Sequence, residues 1–108
     1  MKIVGRLAFG AMVLLAAAAI VNPVQAATIE VKIDNFTFNP QLITVKAGDT
    51  VVWINADDIP HTATSTTMAF RSKALDTGDK FSFTFATPGS YAYFCSLHPH
   101  MTGTIVVE

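Results

Sequence analysis

One cysteine, Cys95, and three histidines are all that the 108 residues offer in the way of strong metal ligands or nucleophile–base pairs. A single thiol excludes a disulfide within the chain, the usual support of a small exported domain. The thiol is therefore either buried and inert or committed to another role. Basic residues are scarce as well: beyond residue 26, five Lys and Arg side chains stand against eight Asp and Glu. That balance excludes the cationic surface that nucleic-acid binding requires. The apolar run from Leu7 to Val21 falls short of the roughly 18–20 residues of a membrane span. Positions 27–108 contain no internal repeat and no low-complexity linker.

The apolar run has a different explanation. Lys2 and Arg6 precede it, and Pro23 and the small-residue ending Val24-Gln25-Ala26 follow it, which is the three-part layout of a secretory signal. The expectation is a signal peptide over 1–26, cleaved after Ala26, and export to a bacterial periplasm. What remains, 27–108, is one domain, because so short a chain builds a single core.

That domain reads as β throughout. Thr28–Ile33, Leu42–Val45 and Thr50–Asn55 are rich in β-branched and aromatic residues. Phe81, Phe83 and Phe85 alternate with small polar residues, as in a strand with one buried face. The turn Thr87–Gly89 leads into Ser90–Cys95, and Gly103–Glu108 closes the chain. Short strands broken by Gly, Pro and Asp imply an all-β sandwich or small barrel. The stretch Ala63–Asp76 fits an irregular loop, an edge strand or a helical turn.

Chemistry gathers in Tyr93–Gly103, YFCSLHPHMTG, where Cys95, His98, His100 and Met101 crowd together. The Cys95–His98–Met101 spacing would suit one side of a helix, but Pro99 and the aromatic strand before Cys95 oppose that. A tight loop between two strands is expected, with Cys95 ending one and Met101 just before the next. Thiolate, imidazole and thioether together are soft donors suited to copper; carboxylates would favour hard cations, and zinc sites seldom use methionine. The missing imidazole is His61, which follows the strand ending Trp53-Ile54-Asn55, with Pro60 stiffening its approach. Two His, one Cys and a weak axial Met make the electron-transfer copper arrangement. Neighbours in extended chain point to opposite sides, so His98 is paired with Met101, and His100 is left at the surface. Taken singly, Cys95, Met101 and His61 also fit a buried small hydrophobe, core filler and an ordinary loop histidine. Their joint placement favours the metal.

Three segments then resemble the cupredoxins: Val45–Asn55, the Ile59-Pro60-His61 turn, and Phe81–Glu108 with its short Cys-x-x-His-x-x-Met loop. The resemblance implies a Greek-key β-sandwich and one type 1 copper ion held by His61, Cys95, His98 and Met101. It also implies a shuttle of single electrons between larger redox proteins, docking near Leu97, His98 and His100; a monomer is expected. The family usually has Asn after the first ligand histidine. Thr62 stands there in this chain, and its hydroxyl is expected to supply the same tie between the ligand loops. Two other classes compete with the shuttle. A copper carrier for trafficking or tolerance has only Met68 and His100 to extend the ligand set. An enzyme needs a second metal centre or a catalytic base, and all three histidines are already in or beside one site.

Overall fold

The computed structural model describes residues 25–108. The expected signal segment lies outside the described residues except for Gln25 and Ala26. Eight strands follow: β1 (Thr28–Asp34), β2 (Thr37–Asn39), β3 (Leu42–Val45), β4 (Thr50–Asn55), β5 (Thr64–Ser65), β6 (Lys80–Thr84), β7 (Gly89–Cys95) and β8 (His98–Val107). They form two four-stranded sheets, ordered β2-β1-β4-β6 and β3-β8-β7-β5. The pairs β1–β4 and β3–β8 are parallel and the rest antiparallel, giving the expected Greek-key sandwich.

Alternation builds the core. On β1 Val31 and Ile33 face inward, on β4 Val51, Trp53 and Asn55, and on β8 Met101, Gly103, Ile105 and Val107. Parallel pairing sets Val31 beside Trp53, and antiparallel pairing sets Trp53 beside Phe81. Trp53, fully buried, lies 5.1 Å from Phe70, 5.4 Å from Tyr93 and 5.6 Å from Phe81 between ring centres. Large aromatic area removed from water is the main source of stability in a domain without disulfides.

The structure corrects one sequence expectation and resolves one left open. The Cys95–Met101 segment is less of a loop than its Pro99 suggests: β8 begins at His98, so only Ser96 and Leu97 join the strands. A register shift at Phe94/Cys95 lets Cys95 pair with His98, and proline is tolerated near a strand end of this kind. Over Ala63–Asp76 the irregular loop prevails, with an edge strand only at Thr64–Ser65, and the loop is pinned by bridges His61–Leu75 and Thr64–Arg71. Its apolar residues, among them Phe70 and Leu75, follow no sustained strand or helix period, so the segment's path is left to its partners.

At the end of the sandwich away from the cysteine, Asp49 closes the β3–β4 turn. Its carboxylate accepts the N–H of Ala27 at 2.8 Å and of Lys46 at 2.9 Å. Those donors, Ala27 foremost, hold its pKa below the usual carboxylate value. The unfolded chain then takes up the proton first, so this contribution is complete above about pH 4 and is lost as pH falls further. Urea unfolding from pH 6 to pH 2 should show a smaller acid loss for Asp49→Asn than for the wild type. Parallel curves would remove Asp49 from the account.

Candidate metal centre

Backbone pairing holds three of the candidate ligands: Cys95 and His98 pair with each other, and His61 bridges to Leu75. Beyond β4 the chain folds back over the fully buried Asn55, whose Nδ2 donates to the carbonyls of Ile59 (2.9 Å) and Leu75 (2.8 Å), while Oδ1 accepts the N–H of Asp57 (2.9 Å). That side chain shapes the turn through Pro60. His61 then exchanges both backbone hydrogen bonds with Leu75, at 3.1 and 2.7 Å, so the imidazole cannot swing with its loop. Cys95 ends β7 in the floor of the site, and the two-residue turn brings His98 back opposite it.

The side chains converge. The Cys95 Sγ lies 3.7 Å from His61 Nδ1 and 3.6 Å from His98 Nδ1, and all three ligand atoms are within 4.8 Å of one another. Metal–nitrogen and metal–sulfur bonds of about 2.0–2.3 Å would place one ion among donors so spaced. The donor set, one thiol and two imidazoles beside a thioether, is that of a copper site rather than a calcium or magnesium one. His61 and Cys95 are fully buried, and His98 is half-buried. Met101 occupies the inward face of β8, buried, while His100 is exposed on the opposite face. A cleft of about 440 Å³ opens above them, lined by Phe36, Leu97, His98, Pro99, His100 and Met101.

Thr62 supplies the tie expected of it. Its Oγ1 accepts the N–H of Ser96 at 2.8 Å and lies 2.8 Å from the Ser96 hydroxyl, joining the chain after His61 to the chain after Cys95. Its backbone N–H points at the Cys95 sulfur at 3.3 Å, a donor that stabilises negative charge on the thiolate.

Three contributors were not found from sequence. Asn55 reads as the end of a strand, and Leu75 lies in the unassigned stretch. Asp57 looks like one of two solvated loop acids, yet its Oδ2 is 2.8 Å from His61 Nε2. The N–H of Phe36, then His61 and the N–H of Asn35, hold the Asp57 carboxyl below the usual range against the opposing effect of burial. The pattern Asp-x-x-x-His was the available signal, since a neighbouring acid is the common partner of a ligand histidine's second nitrogen.

A cupredoxin-like domain model matches residues 6–107. Amicyanin-alpha from Methylorubrum extorquens is 34% identical over 108 residues, covering 94% of this chain and 91% of its own. A purple cupredoxin from Nitrosopumilus maritimus superposes with a TM-score of 0.71 at 31% identity, covering 74% of this chain and 99% of that one. A copper-containing nitrite reductase from Thermus scotoductus gives the same TM-score at 28% identity, but only 23% of its chain is matched against 82% of this one. Sequence and fold agree over most of the described domain, and the chain belongs to the cupredoxin-like family.

Proposed function

We propose that this protein is an exported type 1 copper protein that shuttles single electrons, with His61, Cys95, His98 and Met101 holding one copper ion. The observation that carries the reading is the approach of two imidazole Nδ1 atoms to one buried thiol sulfur at 3.6 and 3.7 Å. When bound, the copper supplies the redox change between Cu(II) and Cu(I).

The chain's own residues supply the rest. Fixed donors lower the rearrangement an electron demands: Cys95 and His98 are paired across the β7–β8 turn, and His61 is bridged to Leu75. Thr62 couples the two segments. Cys95 is the electronic link into the protein, and Pro99 withholds a backbone N–H from its vicinity. His98 is the edge where electrons pass to and from a partner: it is half-buried, whereas His61 is fully enclosed. Larger redox proteins dock around Leu97, His98 and His100, and Leu97 contributes an exposed apolar side chain there. Signal removal after Ala26 delivers the domain 27–108 to the periplasm as a monomer.

The protein is read as a carrier and not an enzyme. Among the described residues one grouping of three ligand side chains is present, and it is spent on this centre. One equivalent of Cu(II) added to the purified domain should give an intense blue or violet colour with a thiolate-to-copper absorption band. A pale complex without that band would remove Cys95 from the ligand set and favour copper trafficking over electron transfer.

A further inference from the structure

The Asp57 carboxylate is used three times. Oδ1 accepts the N–H of Asn35 at 3.1 Å, Oδ2 accepts the N–H of Phe36 at 3.0 Å, and the same Oδ2 is 2.8 Å from His61 Nε2. Asn35 and Phe36 form the β1–β2 turn with φ of 51° and 58°. Left-handed backbone is disfavoured for any side chain with a Cβ, and phenylalanine lacks the local hydrogen bonding that lets asparagine tolerate it. The two N–H groups aimed at one carboxylate hold the turn in that form. Its product is the position of the Phe36 ring. The ring stands edge-on to both imidazoles, 5.5 Å from His61 at 87° and 5.2 Å from His98 at 88°. It stays half exposed there, far from the aromatic core that a phenylalanine would otherwise join.

We propose that Asp57 is a positioning residue of the metal centre: one carboxylate orients His61 with Nδ1 toward the metal and, through the Asn35–Phe36 turn, clamps the Phe36 ring against His61 and His98. The proposal rests on the copper reading of the site. An ionised carboxylate only accepts hydrogen bonds, so Nε2 of His61 carries the hydrogen and Nδ1 presents its lone pair beside the Cys95 sulfur. Negative charge behind the ring also strengthens the imidazole as a donor, and it favours Cu(II) over Cu(I). Phe36 closes one side of the imidazole pair to water and restrains the half-buried His98. Asp57 lies in the β4–β5 connection and Phe36 in the β1–β2 turn, so a single side chain couples two loops to the His61 ligand.

The clamp and the copper reading are separated by working first on metal-free protein. Nitrogen-15 spectra of the histidine side chains should show His61 as the Nε2–H form in the wild type and as a mixture of tautomers in Asp57→Ala. Nuclear Overhauser contacts from Phe36 to His98 should disappear in Asp57→Ala. Phe36→Ala should leave the His61 tautomer unchanged. With copper, Asp57→Ala should bind Cu(II) about 10–100-fold more weakly. Each tenfold loss not matched for Cu(I) raises the reduction potential by about 59 mV. Asp57→Asn keeps an acceptor and drops the charge, so it should keep the tautomer and still raise the potential. It decides the question if the alanine variant does not fold. A folded Asp57→Ala or Asp57→Asn protein with wild-type potential, tautomer and Phe36 contacts overturns the clamp. A wild-type protein that binds no copper overturns the reading of the site, while the metal-free spectra still decide the clamp.

Discussion

Replacing Cys95 with serine abolishes the colour and the electron exchange and lowers the melting temperature by roughly 15–30 °C relative to the copper-loaded wild type, without unfolding the domain. The sulfur is fully buried at the point where both Nδ1 atoms and the Thr62 N–H converge, so no other group can replace it. Serine is close in size and leaves the packing of β7 intact, which is why the fold should survive. A hydroxyl is a harder donor that stays protonated, and it forfeits the thiolate on which both colour and electronic coupling depend. The stability effect follows from mass action. A ligand that binds only the folded state adds RT ln(1 + [L]/Kd), about 4 kcal/mol at a thousandfold excess over Kd. That is a large part of the ~5–15 kcal/mol available to a small domain, and each kcal/mol moves the melting point of such a domain by about 4–8 °C. Calorimetry of three samples tests it: metal-free wild type and Cys95→Ser should melt together, both well below the loaded wild type. A serine variant that melts with the loaded protein would mean the thiol does not hold the metal.

Gly103→Ala should cost about 3 kcal/mol in the metal-free protein, at the upper end of what overpacking usually does. Gly103 pairs with Tyr93 across β7–β8. A Cβ on Gly103 would sit 2.5 Å from both Cζ and Oη of Tyr93 and 2.7 Å from Cε1. The ring has no room to yield: it is almost wholly buried, with Phe38 at 4.6 Å, Trp53 at 5.4 Å and Phe70 at 6.0 Å between centres. Its hydroxyl and the Trp53 indole N–H are both buried without a hydrogen-bond partner among the described residues. Burial pushes the phenol up to about 12. The strands must therefore part, and Cys95 lies two residues beyond Tyr93 while Met101 lies two before Gly103. Urea unfolding gives the cost, and the copper absorption spectrum should shift as the ligand spacing relaxes. A loss under about 0.5 kcal/mol with an unchanged spectrum would show that the tyrosine has space after all.

The hairpin proposed to bear the metal was legible because its chemistry is local. Cys95, His98 and Met101 sit at fixed spacings in one segment, and alternation along a strand already separates Met101 from His100. Thr28–Ile33, Leu42–Val45 and Thr50–Asn55 declared themselves by β-branched content, and the structure extends the first by one residue and keeps the other two. β2 was missed because it has three residues and follows a left-handed turn that no Gly announces. The start of β8 is equally hidden in the sequence, since a register shift at Cys95 moves it to a residue followed by proline.

What the sequence determined by itself is therefore the strand content, the soft donor set and the choice of copper, all properties of residue type and short-range spacing. Tertiary structure alone decided that Asp57 backs His61, that Phe36 leaves the core to stand on two imidazoles, and that Gly103 must lack a side chain. Gly103 has no positive φ to betray it, and its need for hydrogen comes from a tyrosine ten residues away on the facing strand. Each of these contacts joins segments brought together by strand pairing and loop closure, and the identity of one partner carries no mark of the other until the sheets are formed.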